Sequence, residues 1–285
     1  MVLVWGVNWP VMKTALGYMP PLWLATARAA STTALLFVAL AIAGRLRVPD
    51  RRDWPALVSV GVFLMALTPA LSHTGLAFTE SGRAALLSFV TPLWVAPVAI
   101  VLLGERVSAL KLAGLAVALA GLVVLFNPAG FDWSNADVIL GNALLLGSSL
   151  AWAVTILHLR VHRFVLSPLE LAPWQGLVGV AILLPAALAI DGGKPIDWQP
   201  ELFLLIAYAG PLAMGFTVWG SVVVGRALPA IIASLGYLAT PVVGMLSAAP
   251  LMGEPLTATN IGGLVLIVGG LGLAALAEAR LRAQA

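Results

Sequence analysis

The sequence predicts an all-α integral membrane protein of ten transmembrane helices, arranged as two inverted five-helix repeats around a central cavity. Three observations carry this expectation. Of the 285 residues, 61% are hydrophobic and only 9% charged, and the apolar stretches run to about twenty residues, the length that a hydrocarbon slab roughly 30 Å thick requires of a helix. A pattern also recurs. Thr91-Pro92 followed by Gly104-Glu105 returns as Thr240-Pro241 followed by Gly253-Glu254, with proline and glutamate 13 residues apart in both copies at an offset of 149. Finally, each copy holds an odd number of spans, so the second must enter the membrane from the opposite side.

Breaks rich in Pro, Gly, Asn and charge delimit the spans in order. The first five are Val2 to Tyr18, Pro21 to Ala43, Trp54 to Gly75, Ser81 to Leu103 and Ala109 to Phe126; the second five are Ala136 to Leu159, Pro168 to Ile190, Glu201 to Val224, Pro229 to Met252 and Thr257 to Glu278. Residues 1–130 then form the first repeat and 131–285 the second, within one integrated membrane domain. Gly114 and Gly121 recur as Gly263 and Gly270 at the same offset of 149, whereas Trp5 with Trp152 and Lys13 with Arg160 match at 147. Small residues in the fifth and tenth spans suit close helix packing or a dimer face.

Loop charge gives the orientation. With the amino terminus cytoplasmic, the cytoplasmic loops and tail carry Arg45, Arg47, Arg51, Arg52, Arg106, Lys111, Arg160, Arg163, Arg226, Arg280 and Arg282, eleven of the fifteen Lys and Arg. The opposite loops carry Asp132, Asp137, Asp191, Asp197, Glu201 and Glu254 against Lys194, so both termini are expected in the cytoplasm. The net charge of +3 includes no dense basic run, and nucleic acid is not an expected partner. The chain has no cysteine, which excludes a disulfide framework, a thiolate metal site and a cysteine nucleophile. The first span begins almost at Met1 without a basic n-region, which is unlike a cleaved signal peptide.

A solute path would need polar groups and irregular helix geometry at membrane depth. Pro69, Pro92, Pro211 and Pro241 each remove a helix hydrogen bond and are the candidate hinges, the second and fourth being the repeated pair. Candidates for the cavity wall are Trp5, Asn8, His73, Ser88, Trp94, Ser149, Trp152, Thr155, Tyr208, Thr217, Trp219, Ser234 and Tyr237. Hydroxyls in membrane helices often bond their own backbone, and tryptophans near span ends are mostly interfacial anchors. Trp5, Trp152 and Trp219 lie deeper and could offer stacking walls. Lys13, Arg28, Glu80 and Arg83 fall towards the external side, as a vestibule for a zwitterion or as ion pairs closing a gate. The Gly-Glu pairs read as helix stops.

The paired Thr-Pro and Gly-Glu segments, Trp5-Gly6 with Asn8, and Arg28 in the second span resemble the drug/metabolite transporter superfamily, specifically its EamA-type exporters, over essentially the whole chain. The resemblance implies ten helices in two inverted repeats, with a cavity bounded mainly by the first, third, fourth, sixth, eighth and ninth spans. It also implies an inner-membrane exporter of neutral or aromatic amino acids and related amphipathic metabolites, working by alternating access. No deep cluster of Lys and Arg of the kind found in sugar-phosphate relatives is present. Without an Asp or Glu at the centre of any span, facilitated or exchange transport is expected; a proton-coupled drug, purine or metabolite exporter is the alternative. An intramembrane enzyme is a distant third reading, since neither paired intramembrane Asp nor an H-E-x-x-H helix occurs. No cofactor or metal is expected. The partners are a small-molecule substrate and membrane lipid, with the chain a monomer or homodimer.

Overall fold

The computed structural model describes residues 1–103, 108–126, 134–217, 220 and 239–284. Among these residues every regular element is helical. They are α1 (Val2–Ala15), α2 (Pro21–Ile42), α3 (Arg51–Ala77), α4 in two pieces (Ser81–Ser88 and Thr91–Leu103), α5 (Ala109–Phe126), α6 (Ala136–Val161), α7 (Pro168–Asp191), α8 (Pro200–Gly215), α9 (Ala239–Met252) and α10 (Ala258–Gln284). Among the described residues six helices are long and apolar enough to cross a membrane, namely α2, α3, α4, α6, α7 and α10, and α5, α8 and α9 are shorter apolar helices.

Local chemistry sets the starts and stops. Pro21 opens α2 and Pro168 opens α7 at positions where the missing N–H costs nothing. Ser167 and Glu170 add a capping box to α7, and the Asn135 side chain accepts from the first amides of α6. Gly253, at φ 67°, ends α9 in a left-handed conformation that favours glycine.

The fourth span is not the single helix expected from Ser81 to Leu103. It breaks at Phe89 and Val90, because Pro92 cannot donate to the Ser88 carbonyl; the Thr91 hydroxyl takes that acceptor instead, at 3.1 Å. Prolines also lie at or beside the wider helix segments. A π-helical stretch, Val60–Leu67, leads into Pro69, another spans Pro211 over Tyr208–Gly215, and a third, Ala187–Asp191, follows Pro185. At the first, the Thr68 hydroxyl donates to the Phe63 carbonyl at 2.8 Å, meeting an acceptor that the widened ladder offers.

Helices pack as α5 on α10, α2 on α7, α1 on α9 and α3 on α6, while α2 also meets α8 and α7 also meets α3. Small residues set the closest of these approaches. A Cβ on Gly114 would lie 2.6 Å from the Gly270 carbonyl and the Ala274 nitrogen, and one on Gly270 would lie 2.4 Å from the Ala118 nitrogen. The repeated glycines therefore serve packing inside the chain, where backbone lies against backbone. Large apolar side chains such as Val38, Val101, Ile190, Leu204 and Val265 stay exposed and suit contact with lipid.

Adjacent glycines in α10 provide a test. Gly270→Ala is expected to destabilise the detergent-solubilised protein by about 1–3 kcal/mol through overpacking, seen as a lowered melting temperature. Gly269→Ala, with nothing within 4 Å of its added Cβ, should leave it unchanged or slightly raised.

Candidate functional site

Three groups of side chains stand out. The first is aromatic. Trp5 of α1, Phe89 at the α4 break and Trp152 of α6 meet pairwise, with ring centroids 5.6 Å apart for Trp5 and Phe89, 5.7 Å for Trp5 and Trp152, and 6.1 Å for Phe89 and Trp152. The rings are tilted or edge-on, the favoured geometry for aromatic pairs. All three remain only partly buried. In the sequence Phe89 is one apolar residue among many, and its only signal as a site residue is its position two residues before the repeated Thr91-Pro92. Nearby, the Trp94 indole donates to Ser149 Oγ at 2.8 Å, which itself donates to the Leu146 carbonyl.

The second group is polar and deep. Asn8 of α1 is 1% exposed and His73 of α3 is fully buried, yet among the described residues Asn8 Oδ1 and His73 Nε2 have no hydrogen-bond partner. Asn8 Nδ2 and Arg28 Nη1 both approach the Met12 sulfur, at 3.4 and 3.5 Å. Arg28 Nε donates to the Ala209 carbonyl at 2.8 Å, within the π-helical part of α8. Tyr208, one residue earlier, donates to the Val4 carbonyl at 3.0 Å and so ties α8 to the first turn of α1.

The third group closes one end of the bundle. Lys13 Nζ donates to the carbonyls of Leu76, Ala77 and Thr79, at 2.7, 3.2 and 2.9 Å, and thus caps the carboxyl end of α3 with a cation. Glu254, just past α9, accepts from Ser81 N and Oγ at 2.6 and 2.7 Å and from Gly82 N at 2.9 Å, capping the amino end of α4 with an anion. Arg83 Nε donates to Asn142 Oδ1 of α6 at 3.0 Å. Glu80 is exposed, and its charge acts on both Lys13 and Arg83.

The four residues expected as one vestibule or gate therefore separate. Lys13, Glu80 and Arg83 gather at the Glu254 end, whereas Arg28 reaches towards α8 and Met12. Among the remaining candidates, Thr155 and Thr217 bond carbonyls of their own helices, as membrane hydroxyls often do. Ser88 is buried, and its hydroxyl has no partner among the described residues. Pro69 and Pro211 sit at π-helical segments, Pro92 follows the α4 break, and Pro241 is buried in α9. Trp219, Ser234 and Tyr237 lie outside the described residues. The role of Glu254 as a cap in trans could not be read from its own segment, which signalled only the end of a helix.

The sequence profile described as the EamA-like transporter family matches residues 1–127 and 139–276. The chain belongs to this family. Among its EamA relatives is a protein of Bacillus subtilis named "Uncharacterized transporter YvbV", 28% identical over 271 residues, covering 94% of this chain and 87% of that one. A second, from Escherichia coli and named "Probable amino-acid metabolite efflux pump", is 30% identical over 283 residues, covering 95% and 90%. A third, from Streptantibioticus cattleyicolor and named "Probable terminal-alkyne amino-acid exporter", is 27% identical over 282 residues, covering 94% and 89%. A solved structure titled only "Crystal structure of protein" shares the fold, with a TM-score of 0.68 at 23% identity over 98% of this chain and 94% of that one. This EamA protein is a multi-pass inner-membrane transporter of the drug/metabolite superfamily and not an enzyme. It handles a small-molecule substrate within membrane lipid.

The Glu254 contacts can be probed cleanly because the chain lacks cysteine. Thr79→Cys places one thiol at a buried position whose hydroxyl has no partner among the described residues. Adding Glu254→Gln should speed its labelling by a hydrophilic maleimide on the order of tenfold, since charge-assisted bonds to three donors are lost.

Proposed function

We propose that this EamA protein exports amino acids, neutral and aromatic ones in particular, by alternating access without an obligatory proton gradient. The observation that carries the reading is the partly open trio of Trp5, Phe89 and Trp152. It joins α1 and α4 of the first half to α6 of the second, so a flat apolar side chain bound there would touch both halves at once. The relatives named as amino-acid metabolite efflux pump and amino-acid exporter support the same substrate class.

Two inverted repeats remain our reading of the architecture. The helix pairing favours it. Adding five to each helix number turns α2 on α8 into α7 on α3, and it leaves α2 on α7 and α5 on α10 as pairs related to themselves. In this reading the termini are cytoplasmic and the Glu254 end faces outward. Lys13 and Glu254 then act as outer fasteners that release when the site opens outward, with the segments at Pro69 and Pro211 yielding as hinges and the repeated Pro92 and Pro241 flexing with them.

Counterflow in proteoliposomes with radiolabelled L-phenylalanine tests the function. Saturable exchange with no pH gradient is expected, and flux strictly dependent on a gradient would overturn the facilitative reading. Trp152→Ala should lower the flux on the order of tenfold, whereas Trp198→Ala, at a tryptophan 60% exposed, should not. For orientation, Gly193→Cys should react with an impermeant maleimide on intact cells, and Arg51→Cys only after permeabilisation.

A further inference from the structure

Many polar groups among the described residues bond a backbone carbonyl or a neighbouring helix, while Thr79, Ser88 and Thr240 each leave a hydroxyl without a partner there. Asn8, Arg28 and His73 differ in bringing unmet acceptors together with a cation. Arg28 carries five N–H donors, but its partners among the described residues are one carbonyl and one thioether, and no carboxylate pairs with it there. A cation in a membrane span is expensive unless something neutralises it. Its Nε bond to Ala209 fixes the guanidinium plane, and with only a thioether at Nη1 each Nη keeps an N–H for a fork, the arrangement that receives a carboxylate through two bonds.

The unpartnered atoms beside it have the complementary sense. Asn8 presents Oδ1, an acceptor. His73 Nδ1 lies 2.6 Å from the Pro69 carbonyl, and a carbonyl can only accept, so Nδ1 carries the proton and Nε2 of the neutral ring is an acceptor as well. Met12 lies between Asn8 and Arg28, and α2, which carries Arg28, packs on the Thr68–Ala77 part of α3 that carries His73. Two buried acceptors and one forked cation match the two ends of a zwitterion.

We propose that Asn8, Arg28 and His73 form the seat for the charged head of an α-amino acid. The carboxylate pairs with the Arg28 fork, and the ammonium donates to Asn8 Oδ1 and His73 Nε2. Trp5 stands three residues before Asn8 on α1, about 4.5 Å along the helix axis and on the same face. The substrate side chain therefore extends from the seat into the aromatic trio. This assignment rests on the reading of the protein as an amino-acid transporter and names the atoms that read the head group.

The test is counterflow of labelled L-phenylalanine by the purified full-length protein, with phenethylamine, which lacks the carboxylate, and 3-phenylpropionate, which lacks the ammonium, as competitors. Wild type should prefer phenylalanine to either by at least about tenfold. In Arg28→Gln the KM for phenylalanine should rise on the order of 10- to 100-fold while phenethylamine competes as before, so that preference vanishes. Arg28→Lys keeps the charge without the fork and should retain part of it. Asn8→Leu should instead erode the preference over 3-phenylpropionate, an arm that decides the matter even where both Arg28 variants misfold. Wild-type discrimination surviving in folded Arg28→Gln or Asn8→Leu would overturn the seat and leave the transport function standing. Absence of saturable flux for every amino acid in folded wild type would instead remove the functional reading, and the seat with it.

Discussion

The structure depends on one constraint: backbone amides and carbonyls at helix ends must find partners at the margin of a medium that supplies none. A free helix end near the lipid boundary would carry several unmet groups, and this chain meets many of them with charged side chains from other helices. Glu254 accepts from the first residues of α4, Lys13 donates to the last carbonyls of α3, and Asp191 accepts from Leu22 N at the start of α2 at 2.9 Å. Asp53 likewise accepts from Val165 N and Leu166 N in the connection between α6 and α7, both at 2.9 Å. In each case the sign agrees with the helix dipole or with bare amides. A cap supplied in trans is also a strut, so the device that satisfies the backbone fixes where helix ends sit relative to one another.

Between the ends, the bundle is stiff in one place and yielding in others. The α5–α10 pair lies backbone to backbone through Gly114, Gly121, Gly263 and Gly270 and leaves little room for sliding. Around the aromatic trio the helices are irregular instead. α4 is broken at Phe89, and α3 and α8 widen to π geometry near Pro69 and Pro211. The widened turn in α8 includes the Ala209 carbonyl that receives Arg28, so the irregular backbone serves as a ligand as well as a bend.

Much of this was legible in the sequence because hydropathy and punctuation act locally. Helix boundaries such as Pro21, Ala109, Ala136 and Pro168 agree with the structure, since each follows from residues within a few positions. Pro92 is visible in the sequence but the α4 break is not, because whether a proline kinks or breaks a helix depends on what satisfies the freed carbonyl, here Thr91. The sequence places Lys13 and Arg28 together only by their depth along their own spans. Depth along a helix says nothing about which neighbour a side chain faces, and that choice separates a cap on α3 from a partner of α8. Phe89 and Met12 carry no charge or motif, and their place at the site arises only from packing.

The different treatment of ends and middle bears on how such a protein can cycle. A carboxylate with three donors would be hard to part inside hydrocarbon, because neither side could find a substitute partner. At the end of a bundle, water can rehydrate Glu254 and the amides of Ser81 and Gly82 as they separate, and the net cost falls to the order of 1–3 kcal/mol for bonds to a charged group. A closure of that size can be reversed by a substrate whose affinities for the open and closed forms differ by a similar amount. The middle is the converse case. Asn8 Oδ1 and His73 Nε2 are buried without a partner among the described residues, and the part-buried Arg28 has only a carbonyl and a thioether there, so whatever fills them gains most when the site is sealed around it. Strong bonds placed where they can be remade in water, together with unmet groups placed where only a ligand can meet them, let occupancy rather than helix flexibility decide when the ends part.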